Sequence, residues 1–338
     1  MSTPPSLCNL PNELAISIFN GVGLKSALSL RKVCRDLRIR IDDIKPEVNL
    51  SYVRIDVTDC NIRFMYSEIQ TDVEDTEILR STEVEYEKTV ESGRCIVKSD
   101  GSEKSVNGDF VELVSRDFLL ICKFQKKNMK SILFVNGTKY SNNFLQLLEN
   151  LKSFLAFENR LLKVNEFCIN TNDQKSVITA FSLIDPQPIY SISISNSNES
   201  NQPMDFAEIM EMEQWKNAKR FVSNFIITGI SAHNFRHFSY IDVNFQSISA
   251  EFLLDLKKIF QNSSQANDFH IQYETFVDKE QFLEKMGPSI RLFTLDWYFR
   301  MSTTDDYVFG IHLGDQIKFV SFRREAVADV PDDAMIQN

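Results

Sequence analysis

LPNELAISIF, Leu10 to Phe19, is the stretch on which the reading of this chain turns. Pro11 suits a first helical position, where its missing N–H costs nothing, and Asn12 and Glu13 put polar and acidic groups at the positive end of the helix dipole. Leu10, Leu14, Ile18 and Phe19 recur at i, i+4, i+8 and i+9, which predicts a short helix with one apolar face. Gly21 and Gly23 break it, and LKSALSL supplies a second short helix carrying Leu24, Ala27, Leu28 and Leu30. A third is expected through LRKVCRDLRIR and on to Ile44. There Leu30, Val33, Cys34, Leu37, Ile41 and Ile44 keep helical spacing, and Pro46 ends the run.

Some forty residues in three short helices rarely bury enough apolar surface to hold themselves together. Each fully buried Leu, Ile, Val or Phe is worth about 1.5 to 3 kcal/mol, so this segment needs the rest of the chain, another protein, or both. Five basic residues within LRKVCRDLRIR first suggest a nucleic-acid arm. The chain carries a formal net charge of -10, however, and its apolar residues, not its arginines, hold the regular spacing. The arginines are expected on the solvated side, partly paired with Asp36, Asp42 and Asp43.

The pattern LPNELAISIF, then Val22, then LSLRKVCRDLR resembles the F-box: a Leu-Pro-x-Glu-Leu opening, an Ile-Phe pair and a later Leu-x-x-Val-Cys-Arg segment stand in order at matching spacing. It departs from the family at Leu37, where Trp is frequent, and at Gly23 and Leu24, where an acidic-Pro turn is frequent. The segment is similar to the nematode branch of F-box proteins, in which Leu at the Trp position is usual. The resemblance implies a docking surface for the Skp adaptor of cullin-based ubiquitin ligases. Leu10, Pro11, Leu14, Ile18, Phe19, Val22, Leu28, Leu30, Val33, Cys34 and Leu37 would form it.

Beyond Pro46 the pattern changes to alternation. YVRIDVTDCNIRFMY reads as a hairpin turning at TDCN. The acidic passage EIQTDVEDTEILRSTEVEYE reads as a loop giving way to a strand near Val84 to Val90, and GRCIVKSDGSEKSV as a second hairpin with SDGS at its turn. Helical periodicity returns from Asp109 to Lys127. From Lys130 onward strand-length and helix-length runs follow one another: SILFVN, NNFLQLLENLKSFLAF, VNEFCIN, QKSVITAFSLI, PIYSISIS, FAEIMEMEQWKNA, SNFIITG, FSYIDVNF, SAEFLLDLKKIF and DFHIQYETF. Such a succession favours parallel strands joined by helical crossovers. The expected fold class is α+β or α/β: a three-helix F-box, then an irregular leucine-rich-repeat-like α/β array, with a compact α/β sheet as the competing geometry. IRLFTLDWYFRMS, DYVFGIHL and QIKFVSFRR are expected to cap it as a β meander.

EQWKNAK, ISAEFLLDLKKIF and the later Trp-Tyr-Phe-Arg segment resemble the FTH (F-box-associated) domain that accompanies nematode F-boxes. The expected domains are 1–48, the F-box; 49–129, β-hairpins and a helix; 130–325, the FTH-like body with its β cap; and 326–338, a disordered tail. The resemblance implies that the body binds and selects a protein substrate.

The search for chemistry finds little. Six cysteines lie scattered with no CxxC pair, there is no GxxxxGK, GxGxxG or GxSxG, and the ten glycines leave few tight anion-binding loops. His233 and His237 stand four apart, but no Glu follows the first as in HExxH, and a polar link between strands accounts for them. Cys34 and Cys122 lie at periodic positions where a small hydrophobe is expected. The acidic run from Glu68 to Glu91 is either a patch for basic ligands or a solvated face. Of the 27 Phe, most sit at periodic core positions, and a minority is available to line a binding face. The expectation is a non-catalytic substrate adaptor with no metal or cofactor, no nucleic-acid or membrane partner, working in the cytoplasm or nucleus. The alternative is a scaffold that binds the Skp adaptor without promoting degradation, or a general protein-interaction scaffold.

Overall fold

Ala15, Phe19, Leu24, Ala27, Leu37 and Ile41 are the buried residues of three short helices: α1 (Asn12–Gly21), α2 (Gly23–Leu30) and α3 (Arg35–Ile44). The computed structural model describes residues 7–71, 77–89, 93–138, 142–196, 202–291, 294–302, 304–314 and 316–337. The third helix does not begin at Leu30, as its spacing suggested. A turn interrupts it, and Cys34 adopts an extended backbone with its Sγ accepting from the Leu37 N–H at 3.5 Å, so Cys34 caps α3 from outside. The chain leaves α3 through Lys45 at φ +49°, a left-handed cap that points it into the first strand.

The chain divides into two compact units, Met1–Phe167 with Ser182–Pro188, and Cys168–Phe181 with Ile189–Asn338. This division differs from the boundary expected at 129/130. In the first unit β1 (Leu50–Val57), β2 (Asn61–Thr71), β3 (Glu77–Lys88), β4 (Arg94–Ser99) and β5 (Ser102–Asn107) form an antiparallel meander. The turn between β4 and β5 places Asp100 at φ +51° and Gly101 at φ +71°, which Asp-Gly tolerates and which matches the twist of a hairpin. The passage read as an acidic loop is mostly strand: β2 reaches Thr71 and β3 starts at Glu77, paired across Ser67↔Ser81 and Ile69↔Leu79. Polar residues at both faces of β3 hid the period-2 signal. Residues 72–76 and 90–92 of that passage lie outside the described set.

Helix α4 (Phe110–Phe124) follows, with ten of its fifteen residues buried, so it is packed on more than one side. Asp109 caps it, its Oδ1 accepting from the N–H groups of Val111 (2.9 Å) and Glu112 (3.2 Å). Asp109→Ala is expected to cost about 1 kcal/mol; a chemical-denaturation midpoint equal to that of the parent would show the cap to be idle. β6 (Met129–Asn136) joins β1 in parallel, and α5 (Asn143–Phe157) and β7 (Val164–Asn170) complete the alternation. The division between units falls within β7.

The second unit contains α6 (Gln174–Phe181), β8 (Ser191–Ser195), β9 (Pro203–Asp205), α7 (Ala207–Met210), α8 (Glu213–Asn217), β10 (Arg220–Thr228), β11 (Tyr240–Ser249), α9 (Ala250–Asn262), β12 (Asp268–Val277) and α10 (Lys279–Met286). It ends with β13 (Ile290–Arg291), β14 (Leu295–Met301), β15 (Thr304–Gly314), β16 (Phe319–Ala326) and β17 (Ile336–Gln337). β8, β10, β11 and β12 pair in parallel in that order, and β9 lies along the far end of β10. β12 then pairs antiparallel with β16, and β16, β15 and β14 form the meander. The helix expected across FAEIMEMEQWKNA is two short ones, broken at Glu211 and Met212. Nor is the end of the chain wholly frayed: Ile336 and Gln337 pair with Tyr298 and Phe299 of β14.

Aromatic rings fill this second core. Trp215 packs against Phe206, Phe221 and Phe238, with its centroid 4.6 Å from that of Phe221, and Phe260 meets Phe269, Phe309 and Phe322. Both tryptophans of the chain, Trp215 and Trp297, are buried here. Across β14, β15 and β16, His312 stands between two carboxylates, its Nδ1 2.8 Å from Asp296 Oδ1 and its Nε2 2.8 Å from Glu325 Oε1. Burial works against the charged ring, but the two carboxylates outweigh it and push the His312 pKa up to about 9. The imidazolium therefore donates from both nitrogens. A Cβ at Gly310 would sit 2.6 Å from His312 Nε2 and 2.8 Å from Glu325 Oε1, so only glycine leaves room for this pair.

Candidate functional site

Helix α1 carries two adjacent apolar rows. Ala15 and Phe19 face inward, Phe19 being 1% exposed, while Leu14 and Ile18 lie on the neighbouring row at 55% and 38% exposed. The apolar stripe that announced the helix is thus largely the one left in water. Val33, at the apex of the turn between α2 and α3, is 69% exposed, and Pro11 and Cys34 are exposed as well. Leu10, Val22 and Leu30 are half-buried. Leu28, also half-buried, turns toward the sheet over β2 to β5.

Two of the eleven residues expected to meet a partner are inside. Phe19 and Leu37, the latter 5% exposed, join Ile41 and Leu24 in the core, beneath the exposed row. Conversely, Leu7, Ile16 and Ile39 are exposed apolar residues that periodicity did not single out. Ile16 and Ile39 flank a shallow groove with Asp36, Arg40 and Asp43. Helical spacing counts apolar positions but cannot say which of two adjacent rows goes inward.

The basic residues separate into two kinds. Arg31 makes a two-pronged pair with Asp42, Nε to Oδ1 at 2.6 Å and Nη2 to Oδ2 at 2.8 Å, and that bond raises its pKa. Arg40 donates to the carbonyls of Cys8 and Leu10, tying the entry of α1 to α3. Lys32, Arg35 and Arg38 remain exposed at the rim. On the opposite side the helices are clamped to the sheet. The buried Glu68 of β2 accepts the Leu24 N–H at 2.9 Å, placing a carboxylate at the positive end of α2, and Gln70 Nε2 donates to the same carboxylate at 2.8 Å. Gly23 makes this approach possible: its φ is +76°, and a Cβ there would lie 1.8 Å from Gln70 Nε2.

The remaining candidates give no chemistry. Residues Ala232–Phe235, with His233, form a single 3-10 turn between β10 and β11. His237 Nε2 lies 2.9 Å from the Trp215 carbonyl, and burial lowers its pKa. The Cys122 thiol is pushed up to about 12 by burial, which removes it as a nucleophile. Among the described residues no group of three His, Cys, Asp or Glu side chains is placed to hold a metal ion, and no helix is long and apolar enough to cross a membrane.

Residues 7–49 match the F-box domain and residues 145–286 match the FTH domain. The three helices and their exposed row fall inside the first match, and most of the parallel strands of the second unit inside the other. The chain is also similar to F-box A protein 224 of Caenorhabditis elegans, 23% identical over 293 residues that cover 84% of this chain and 71% of that protein. F-box proteins are generally adaptor subunits and not enzymes, and an F-box generally binds a Skp adaptor that links it to a cullin. No catalytic family is indicated.

Proposed function

We propose that this chain, an F-box protein whose body carries an FTH domain, is the substrate-recognition subunit of a Skp-cullin-F-box ubiquitin ligase. The observation that carries the reading is the wet row Leu14 and Ile18, beside an exposed Val33, on a three-helix unit whose Ala15, Phe19, Leu24, Leu37 and Ile41 are packed inside. Apolar side chains aligned on one helix face lose their contact with water when a partner covers them. Pro11, Leu10, Val22 and Leu30 extend this surface, with Cys34 at its margin, while Phe19 and Leu37 hold its shape from beneath. The body would hold a protein substrate near the ubiquitin-charged subunit, so rate comes from proximity supplied to other components and no catalytic residue is needed here.

The run of parallel strands β8, β10, β11 and β12, in which β10, β11 and β12 follow one another both in the chain and in space, supports reading that part as an irregular repeat array in the manner of leucine-rich repeats. A cytoplasmic or nuclear setting suits six cysteines with free thiols.

The docking assignment is tested by co-purification with a Skp adaptor. Leu14→Asp combined with Ile18→Asp is expected to weaken capture at least about ten-fold, since two large apolar side chains of roughly 1.5 to 3 kcal/mol each lose their burial. The far-UV circular dichroism melt should stay within about 2 °C of the parent, because exposed substitutions rarely change stability by more than about 0.5 kcal/mol. Ile16→Asp with Ile39→Asp is the control on the opposite groove. Undiminished capture by the first variant would sink the assignment.

A further inference from the structure

One face of β2 to β5 is left uncovered between α2 and α4. Val84, Val97 and Val106 form its half-buried floor beside the buried Phe64, Leu120 of α4 closes one wall and Lys32 stands on the other. On this face Val97 stands across from Tyr86 on one side and Lys104 on the other, and Val106 across from Cys95, so the three valines run diagonally over β3, β4 and β5 with Lys104 among them. The trough encloses about 460 Å³. Its rim is basic: five lining side chains are cationic and two anionic, in a chain whose net charge is -10. Lys25 is spent on Asp100 and Arg31 on Asp42, but Lys32 and Lys104 have no ion pair among the described residues, and Arg116 reaches Asp117 only at 3.8 Å.

An apolar floor ringed by unspent cations is complementary to a ligand that joins an apolar anchor to several negative charges. A compact small molecule is disfavoured, because such ligands are normally enclosed over roughly 70 to 90% of their surface, whereas the floor residues Val84, Val97 and Val106 are only half-buried. We propose that the trough binds a short acidic peptide segment of a partner protein, seating one aliphatic or aromatic side chain on Val84, Val97 and Val106 and its carboxylates on Lys32, Lys104 and Arg116. The proposal rests on the adaptor reading for its biological meaning, since such a peptide would belong to a captured substrate.

The test uses the full chain co-purified with a Skp adaptor and a fluorescein-labelled peptide of one Trp flanked on each side by four Glu. A matched Lys peptide and phosphatidylcholine vesicles containing phosphatidylserine serve as alternatives. Fluorescence anisotropy should show saturable binding of the Glu peptide, weakened about ten-fold or more by Lys32→Glu with Lys104→Glu and weakened further by salt. Both lysines are exposed, so that variant is expected to fold; Val97→Thr, which keeps volume and strand propensity, should weaken binding through the floor alone. No binding of the Glu peptide, equal binding of the Lys peptide, binding indifferent to the charge reversal, or binding of the vesicles only would each overturn the proposal. Adaptor capture is read on the same samples. Failure of the parent chain to capture the adaptor with its peptide binding intact would count against the docking assignment and leave the trough standing; capture by the parent without peptide binding would count against the trough alone.

Discussion

Raising the pH from 6.5 to beyond 9 is expected to remove about 3 kcal/mol from the stability of the second unit through His312 alone. A ring whose pKa moves from its ordinary 6.5 to about 9 holds its proton more tightly in the folded state than in the unfolded one. Its contribution is complete below pH 6.5 and is lost as the pH rises through 9. Asp296 works in the other direction. Burial opposes its charge, yet the bonds from His312 and Thr294 hold its pKa below the ordinary carboxylate value, so its contribution is lost only in acid, as the pH falls through that lowered value. The unit should therefore be most stable between the acidic range and pH 6.5. His312→Ala leaves a buried Asp296 and a half-buried Glu325 without their cation and should cost about 3 to 5 kcal/mol near neutrality. Tryptophan fluorescence reads this unit selectively, because both Trp residues lie in it. Urea denaturation followed at pH 6.5 and 9.5 should show a steep decline in the parent and a shallow one in the variant; parallel declines would show that His312 is not the titrating group.

Phe19→Ala is expected to cost about 3 to 5 kcal/mol, the usual penalty for emptying a buried phenylalanine site. The lesion lies in the helical unit, so it should appear as accelerated amide hydrogen exchange across α1 to α3 with tryptophan fluorescence unchanged. Adaptor capture should fall too, but as a consequence of loosened helices, and lowering the temperature should restore part of it. Capture lost through Leu14 and Ile18 should not recover on cooling. Phe19→Ala with parent-like exchange protection would show that the ring is not the keystone of the three helices.

How much of this was legible depends on whether the deciding contact is local. Asp109 before an apolar run and Asp100–Gly101 between alternating runs are local signals, and α4 and the β4–β5 hairpin stand where they were read. Leu30, Val33, Cys34 and Leu37 keep helical spacing through a turn that is not helical, and Val33 is exposed although it is apolar. An apolar residue left at the surface and one drawn into the core look alike in one dimension. Glu68 on α2 joins positions 44 residues apart, and Asp296, His312 and Glu325 meet only because β14, β15 and β16 pair in register. Nothing in their neighbourhoods along the chain marks them. Likewise the parallel pairing of β11 with β12 was readable from the strand-helix-strand succession around α9, whereas the antiparallel partner that β12 finds in β16 was not.

The two rows of α1 leave the helix ambiguous in phase, and Ala15 resolves it. Inserting one residue after Glu13 would rotate everything beyond it by about 100°, so that Ile18 took the seat of Phe19 and Leu14 the seat of Ala15. Both newcomers are apolar, and hydrophobicity alone would accept the exchange. The seat of Ala15 is wholly buried, and filling it with leucine would overpack it. The methyl side chain of Ala15 thus acts as the indexing pin of the helix, and α1 should tolerate a single-residue insertion poorly, although both inward seats, those of Ala15 and Phe19, would still be filled by apolar residues.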